Sequence, residues 1–243
     1  MASTSETGHA KNVANLEDFI AVLTGYGAPY NPTKAILKLP ALNTMRTTSI
    51  AKISDVAAKN ILYNNVVNDR QLAFSGIRAL STRLVNALEA TDAIPAKIAD
   101  IKGFHRKLQG HRASSPAQTS ADPNAPAPAT ISVSQRSYDQ QIEHFASIIG
   151  ILASEPSYAP NENDLKIATL NAKKADLIAK NTAVTNAYVA ITNSRISRDS
   201  TLYMADTGVV DVTTEVKQYV KSLFGAKSPQ YAQLREIKFR KVG

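Results

Sequence analysis

Between positions 161 and 207 the chain runs 47 residues without glycine or proline, and its apolar side chains return at helical spacing. Leu170, Leu177, Val184 and Ile191 recur every seven residues, and Asn181, Tyr188, Arg195 and Arg198 complete an alternation of three and four. That pattern predicts one long helix with a packing seam. At 1.5 Å per residue, about 40 residues of helix would measure roughly 60 Å. An earlier stretch repeats the register in Ile53, Val56, Asn60, Tyr63, Val67 and Arg70. There Pro40 is expected to shorten or kink the helix. The candidate packing seam is therefore Ile53, Val56, Asn60, Tyr63, Val67, Leu170, Leu177, Val184, Tyr188 and Ile191.

Shorter amphipathic stretches flank both long ones. One precedes each, at 15–25 and 134–153, with Glu17/Glu143 and Phe19/Phe145 in matching places at an offset of 126, Asn15 and Ser134 as candidate N-caps, and Gly25 and Gly27 closing the first. Tyr30-Asn31-Pro32 and Tyr158-Ala159-Pro160 supply turns before the long helices, because proline stops the preceding element. Helices are predicted next at 77–90 and 209–224, the second entered by the turn Asp206-Thr207-Gly208 and ended by Gly225. The last pair, each a short helix or an extended tail, spans 95–107 and 229–241, with Ser228 as N-cap and Pro229 in the first helical position.

Two copies of one pattern suggest a duplication. Residues 30–70 align with 158–198 without a gap at an offset of 128, and 12 of 41 positions are identical. Unrelated segments would share about 2 to 3. The sequence thus divides into a flexible N-terminus at 1–13, a helical repeat at 14–109, a linker at 110–130 and a second repeat at 131–243. The linker is rich in Pro, Ala and Ser and has no large apolar residue, so it is expected to be extended. The expected fold is all-α: an elongated helical bundle of two tandem repeats, each with one long helix and shorter flanking helices. Low aromatic content (6 %) and the absence of Trp agree with helix-on-helix packing.

Charge and composition narrow the chemistry. Cysteine is absent, which excludes disulfides, thiolate nucleophiles and Cys-ligated metals. No signal sequence or membrane span is legible, so the expected location is cytoplasmic. The net charge of +8 is spread over both halves. Two basic ends stand beside an aromatic each: Lys102, Arg106 and Lys107 near Phe104, and Arg235, Lys238, Arg240 and Lys241 near Phe239. Such groups are candidates for a polyanion such as nucleic acid, or for a partner protein. Catalytic, phosphate-loop and metal motifs are missing, and His105 and His111 have the wrong spacing for a shared metal. No catalytic residue, cofactor, metal or small-molecule substrate is expected. The polar seam positions Asn60, Asn181, Arg70 and Arg198 either set helix register or line a ligand or ion path, and the first is favoured. Arg70 and Arg198 are also candidates to tie the long helices to the turns through Asp69 or Asp206. The apolar run IIGILA at 148–153 reads as core.

The phrases YAPNENDL (158–165), KNTAV (180–184), NSRISRD (193–199), TGVVD (207–211) and VKSLFGAKSPQY (220–231) resemble a family of uncharacterised helical proteins from the Bacteroidetes group. The resemblance covers most of 131–243 and implies ancestry without an activity. The functional expectation is a non-catalytic structural or scaffolding protein that associates with itself as an oligomer or filament. The alternative is a basic helical protein that binds nucleic acid or another polyanion.

Overall fold

The computed structural model describes residues 8–111 and 136–242. Among these the regular structure is entirely helical. Eight α-helices follow in chain order: α1 His9–Gly25, α2 Leu39–Ser75, α3 Ile77–Glu89, α4 Pro95–Gln109, α5 Tyr138–Ala153, α6 Ile167–Tyr203, α7 Val209–Phe224 and α8 Pro229–Glu236. Short 3-10 turns at Ala35–Leu37 and Asn163–Leu165 lead into α2 and α6, which are 37 residues each. The all-α expectation holds. Most of the linker and the candidate cap Ser134 lie outside the described residues.

Several boundaries differ from the sequence reading. Pro40 leaves α2 unbroken because it is the second residue of the helix, where its missing N–H has no intrahelical acceptor to lose. Helix α1 begins at His9, so residues 9–13 are ordered helix and Asn15 lies inside it rather than at its cap. Ser137 caps α5, its hydroxyl accepting from the Gln140 N–H at 3.2 Å. Ser228 caps α8 as expected, accepting from Tyr231 N–H at 3.1 Å, but α8 stops at Glu236 and the chain to 241 leaves the helix. At the turn before α7, Asp206 takes φ 63° and Gly208 is required by space. A Cβ on Gly208 would stand 2.6 Å from the Met204 nitrogen.

The chain forms two compact units that do not follow its two sequence halves. One takes the described residues up to Asn64 and from Ala187 onward; the other is Asn65–Asn186. In unit 1, Leu16, Phe19, Ile20 and Leu23 of α1 meet Val209, Val212, Val216 and Val220 of α7, with Leu42, Leu202 and Leu234 completing the core. Apolar residues every three or four positions on both helices make this a helix-on-helix interface. In unit 2, α4 packs with α3 and α5 through Leu84, Leu88, Ile101, Leu108, Phe145, Ile148 and Leu152. The run IIGILA therefore lies in the core, with Ile148, Ile149 and Leu152 all buried. Leu165, Leu170 and Leu177 complete the unit 2 core.

Both turns before the long helices are held in the same way. The hydroxyl of Tyr30 donates to the Leu37 carbonyl at 2.5 Å, and that of Tyr158 to the Leu165 carbonyl at 2.9 Å. Each tyrosine is buried, so the bond satisfies a polar tip that burial would otherwise penalise.

Candidate functional site

The seam positions divide by burial. Leu170, Leu177, Val184 and Ile191 are buried, whereas Ile53, Val56, Tyr63 and Val67 are half-covered. Asn60 and Tyr188 depart from the buried packing role: Asn60 is exposed, and Tyr188 keeps 57 % of its surface while its ring stands 6.2 Å from that of Tyr63. In unit 1 the paired positions Asp55 with Ser194 and Tyr63 with Tyr188 show that α2 and α6 run antiparallel there. The Ser194 hydroxyl donates to the Asp55 carboxylate at 2.6 Å.

Two of the polar seam residues meet in unit 2. The Arg70 guanidinium donates to the Asn181 side-chain oxygen at 3.0 Å, and the Asn181 amide donates to the Asp139 carboxylate at 2.7 Å. The same guanidinium lies 4.0 Å above the Tyr138 ring, a cation–π arrangement. Arg70 thus pairs across helices instead of bonding Asp69, which is bound by Lys180 at 3.2 Å. In unit 1, Arg198 bonds its neighbour Asp199 through Nη2 at 2.8 Å and Nε at 2.9 Å, rather than Asp206.

Beside Arg198 lies a cavity of about 540 Å³ within unit 1. Its polar wall is His9, Lys11, Asn60, Arg195 and Arg198; Ile53, Val56 and Ala57 form an apolar side. Gly8 and the first turn of α1 complete it. His9 Nδ1 lies 2.8 Å from the Tyr203 hydroxyl and 3.7 Å from the Asp199 carboxylate. Burial, with the Arg198 charge second, lowers the His9 pKa, and Asp199 partly opposes them. Helical periodicity marked Asn60 and Arg198 and the register gave Arg195, but His9 and Lys11 fell in the stretch read as a flexible terminus.

The basic ends are largely engaged within the protein. Lys102 pairs with Glu89 at 2.5 Å, Lys107 stands 5.2 Å over the Phe104 ring, and Arg106 is exposed on α4. In unit 1, Arg235 pairs with Glu236 at 3.5 Å and Lys241 with Asp211 at 3.2 Å, while the Lys238 amine donates to the Arg235 carbonyl. The segment after α8 is captured by α1. Asn12 donates to the Arg240 carbonyl at 2.7 Å and accepts from its N–H at 3.1 Å, and Asn15 donates to the Lys238 carbonyl at 2.6 Å. These bonds take the place of a helical ladder, so the segment 229–241 is a short helix to Glu236 followed by an extended tail, combining the two forms expected for it.

Phe239 of that segment meets Phe19 edge to face at 5.5 Å, and the Lys217 amine lies near both rings while donating to the Ile237 carbonyl. Burial, with the Lys238 charge second, pushes the Lys217 pKa down to about 8 against a smaller opposing effect of Glu236. The folded pKa is below the ordinary value of 10.5, so the unfolded chain binds the proton more tightly. Stability should accordingly rise as pH increases from about 8 to about 10.5 through this group. A titration of the Lys217 side chain by nuclear magnetic resonance should show a midpoint near 8, moved upward by Phe239→Ala. A wild-type midpoint above about 10 contradicts the cause.

Exposed aliphatic side chains occur at aligned places on the long helices. Ile50 and its aligned Ile178 are 45 % and 46 % exposed, and Ile61 and its aligned Val189 are 60 % and 51 % exposed. Ile196, seven residues beyond Val189, is 62 % exposed. Among the described residues no group of three His, Asp or Glu side chains gathers to hold a metal, and no helix is long and apolar enough to cross a membrane. No known protein family, curated protein or solved structure matches the chain.

Proposed function

We propose that this protein is a non-catalytic helical scaffold that associates with further copies of itself through the long helices. The observation that carries this reading is the exposed aliphatic pairs, Ile50 with Ile178 and Ile61 with Val189. Eleven residues on an α-helix are three turns plus about 20°, and seven are two turns less about 20°. Ile50 and Ile61 therefore share one side of α2, and Val189 and Ile196 share one side of α6. Isolated exposed apolar residues are ordinary, but the same exposure recurring at aligned positions supports a contact surface. A second copy is the occupant favoured, because a surface presented twice can meet its own like in an isologous contact.

Sedimentation velocity across a concentration series tests the reading. The wild-type chain should form oligomers, and Ile61→Lys with Val189→Lys should return it to monomer with unchanged helical content, since both side chains are exposed. A wild-type chain that stays monomeric at high concentration, with no filaments by electron microscopy, overturns it.

A further inference from the structure

The geometry points to the unit 1 cavity as a binding site for a small aromatic carboxylate. This goes beyond the scaffold reading and does not depend on it. Arg198, in the cavity wall, aligns with Arg70 at the offset of 128, and Ile53 and Val56, also in the wall, align with Asn181 and Val184. Around Arg70 the chain itself supplies a ring and a carboxylate: Tyr138 lies under the guanidinium and Asp139 is joined to it through Asn181.

Unit 1 has no equivalent of that pair. With Phe19 matched to Phe145, Tyr138 corresponds to Asn12 and Asp139 to Val13. Asn12 is turned to the backbone of Arg240 and to the Tyr203 hydroxyl, and Val13 is buried in the core. What α5 fills with its own ring and acid in unit 2 is open space beside Arg198 in unit 1. The volume, about 540 Å³, is in the usual range for a small-molecule pocket. Ile53, Val56 and Ala57 offer the ring an apolar face, and Arg195, Arg198 and His9 offer the carboxylate donors. Asp199 takes two N–H donors of Arg198 and so orients a guanidinium that has five. A planar guanidinium suits both stacking on a ring and charge-assisted bonding to a carboxylate.

Calorimetric titration of the full chain with 4-hydroxyphenylacetate at low salt tests this, with its neutral amide, 4-hydroxyphenylacetamide, as the comparison. The acid should bind with a Kd tighter than about 1 mM, and the amide at least about 10-fold more weakly. Arg198→Gln should weaken the acid by about 10-fold or more. Ala57→Phe, which fills the cavity from an exposed position on α2, should abolish binding while circular dichroism stays that of the wild type. Absence of binding by the wild type, equal binding of acid and amide, or undiminished binding to a folded Ala57→Phe chain each overturns the assignment.

Discussion

Phe145→Ala should cost about 3–5 kcal/mol of folding stability, a large share of the roughly 5–15 kcal/mol that a domain commonly has. The ring is fully buried in the unit 2 core, among Leu84, Leu88, Ile101, Ile148 and Leu152. Truncation removes the transfer free energy of the ring and leaves a cavity that rigid helices close only in part. Phe19→Ala in unit 1 should cost a similar amount, because Phe19 is equally buried and also loses its edge contact with Phe239. The two cores share no residue, so the penalties should add in the double variant. Phe145→Leu should lose much less, since the replacement keeps apolar volume. Urea denaturation followed by circular dichroism measures all four; a loss below about 1 kcal/mol for Phe145→Ala contradicts the core assignment.

The Phe19 and Phe145 match was legible in sequence because helical periodicity reports which face of a segment is apolar. The same periodicity found α3 and α7 to within a residue or so, with Gly208 and Gly225 bounding α7 by local chemistry, and it placed both long helices, although the shortening or kink expected at Pro40 does not occur. It did not find what covers those faces. Unit 1 joins α1 of the first sequence half to α7 and α8 of the second, a pairing that depends on how α2 and α6 run together and not on any local signal. Where helix gives way to extended tail within 229–241 was not legible for the same reason. The tail is claimed by Asn12 and Asn15, more than 220 positions away in the chain. The candidate site was half legible. The three-four alternation singled out Asn60, Arg195 and Arg198, but the cavity needs the first turn of α1, whose start carries no side-chain cap to announce it. Periodicity also grouped Arg70 with Arg198, although one is covered by Tyr138 and the other faces a cavity.

Raising the pH above about 10 should destabilise the protein steeply, with Tyr30 and Tyr158 as the cause. Burial pushes the Tyr158 hydroxyl up to about 12, helped by the negative charges of Glu162 and Asp164. Burial raises Tyr30 as well, with Tyr219 adding to it. A phenolate in either place would lose both its solvation and the hydrogen bond it donates to the carbonyl of Leu165 or Leu37. Both folded pKa values exceed the ordinary 10.0, so the folded chain holds these protons more tightly than the unfolded chain does. Their contribution is complete below pH 10 and is lost as pH climbs toward 12. At about 1.4 kcal/mol per pKa unit, Tyr158 alone accounts for on the order of 3 kcal/mol. Lys217 acts in the opposite sense from about pH 8 to about 10.5, so the stability curve should climb from about pH 8 to about pH 10 and then fall. In Tyr30→Phe with Tyr158→Phe the alkaline fall should flatten. At neutral pH that pair should cost about 1–2 kcal/mol per site for the unsatisfied carbonyls at the starts of α2 and α6. Urea midpoints that fall equally above about pH 10 in wild type and the double phenylalanine variant would remove the tyrosines as the cause and place the alkaline limit elsewhere in the fold.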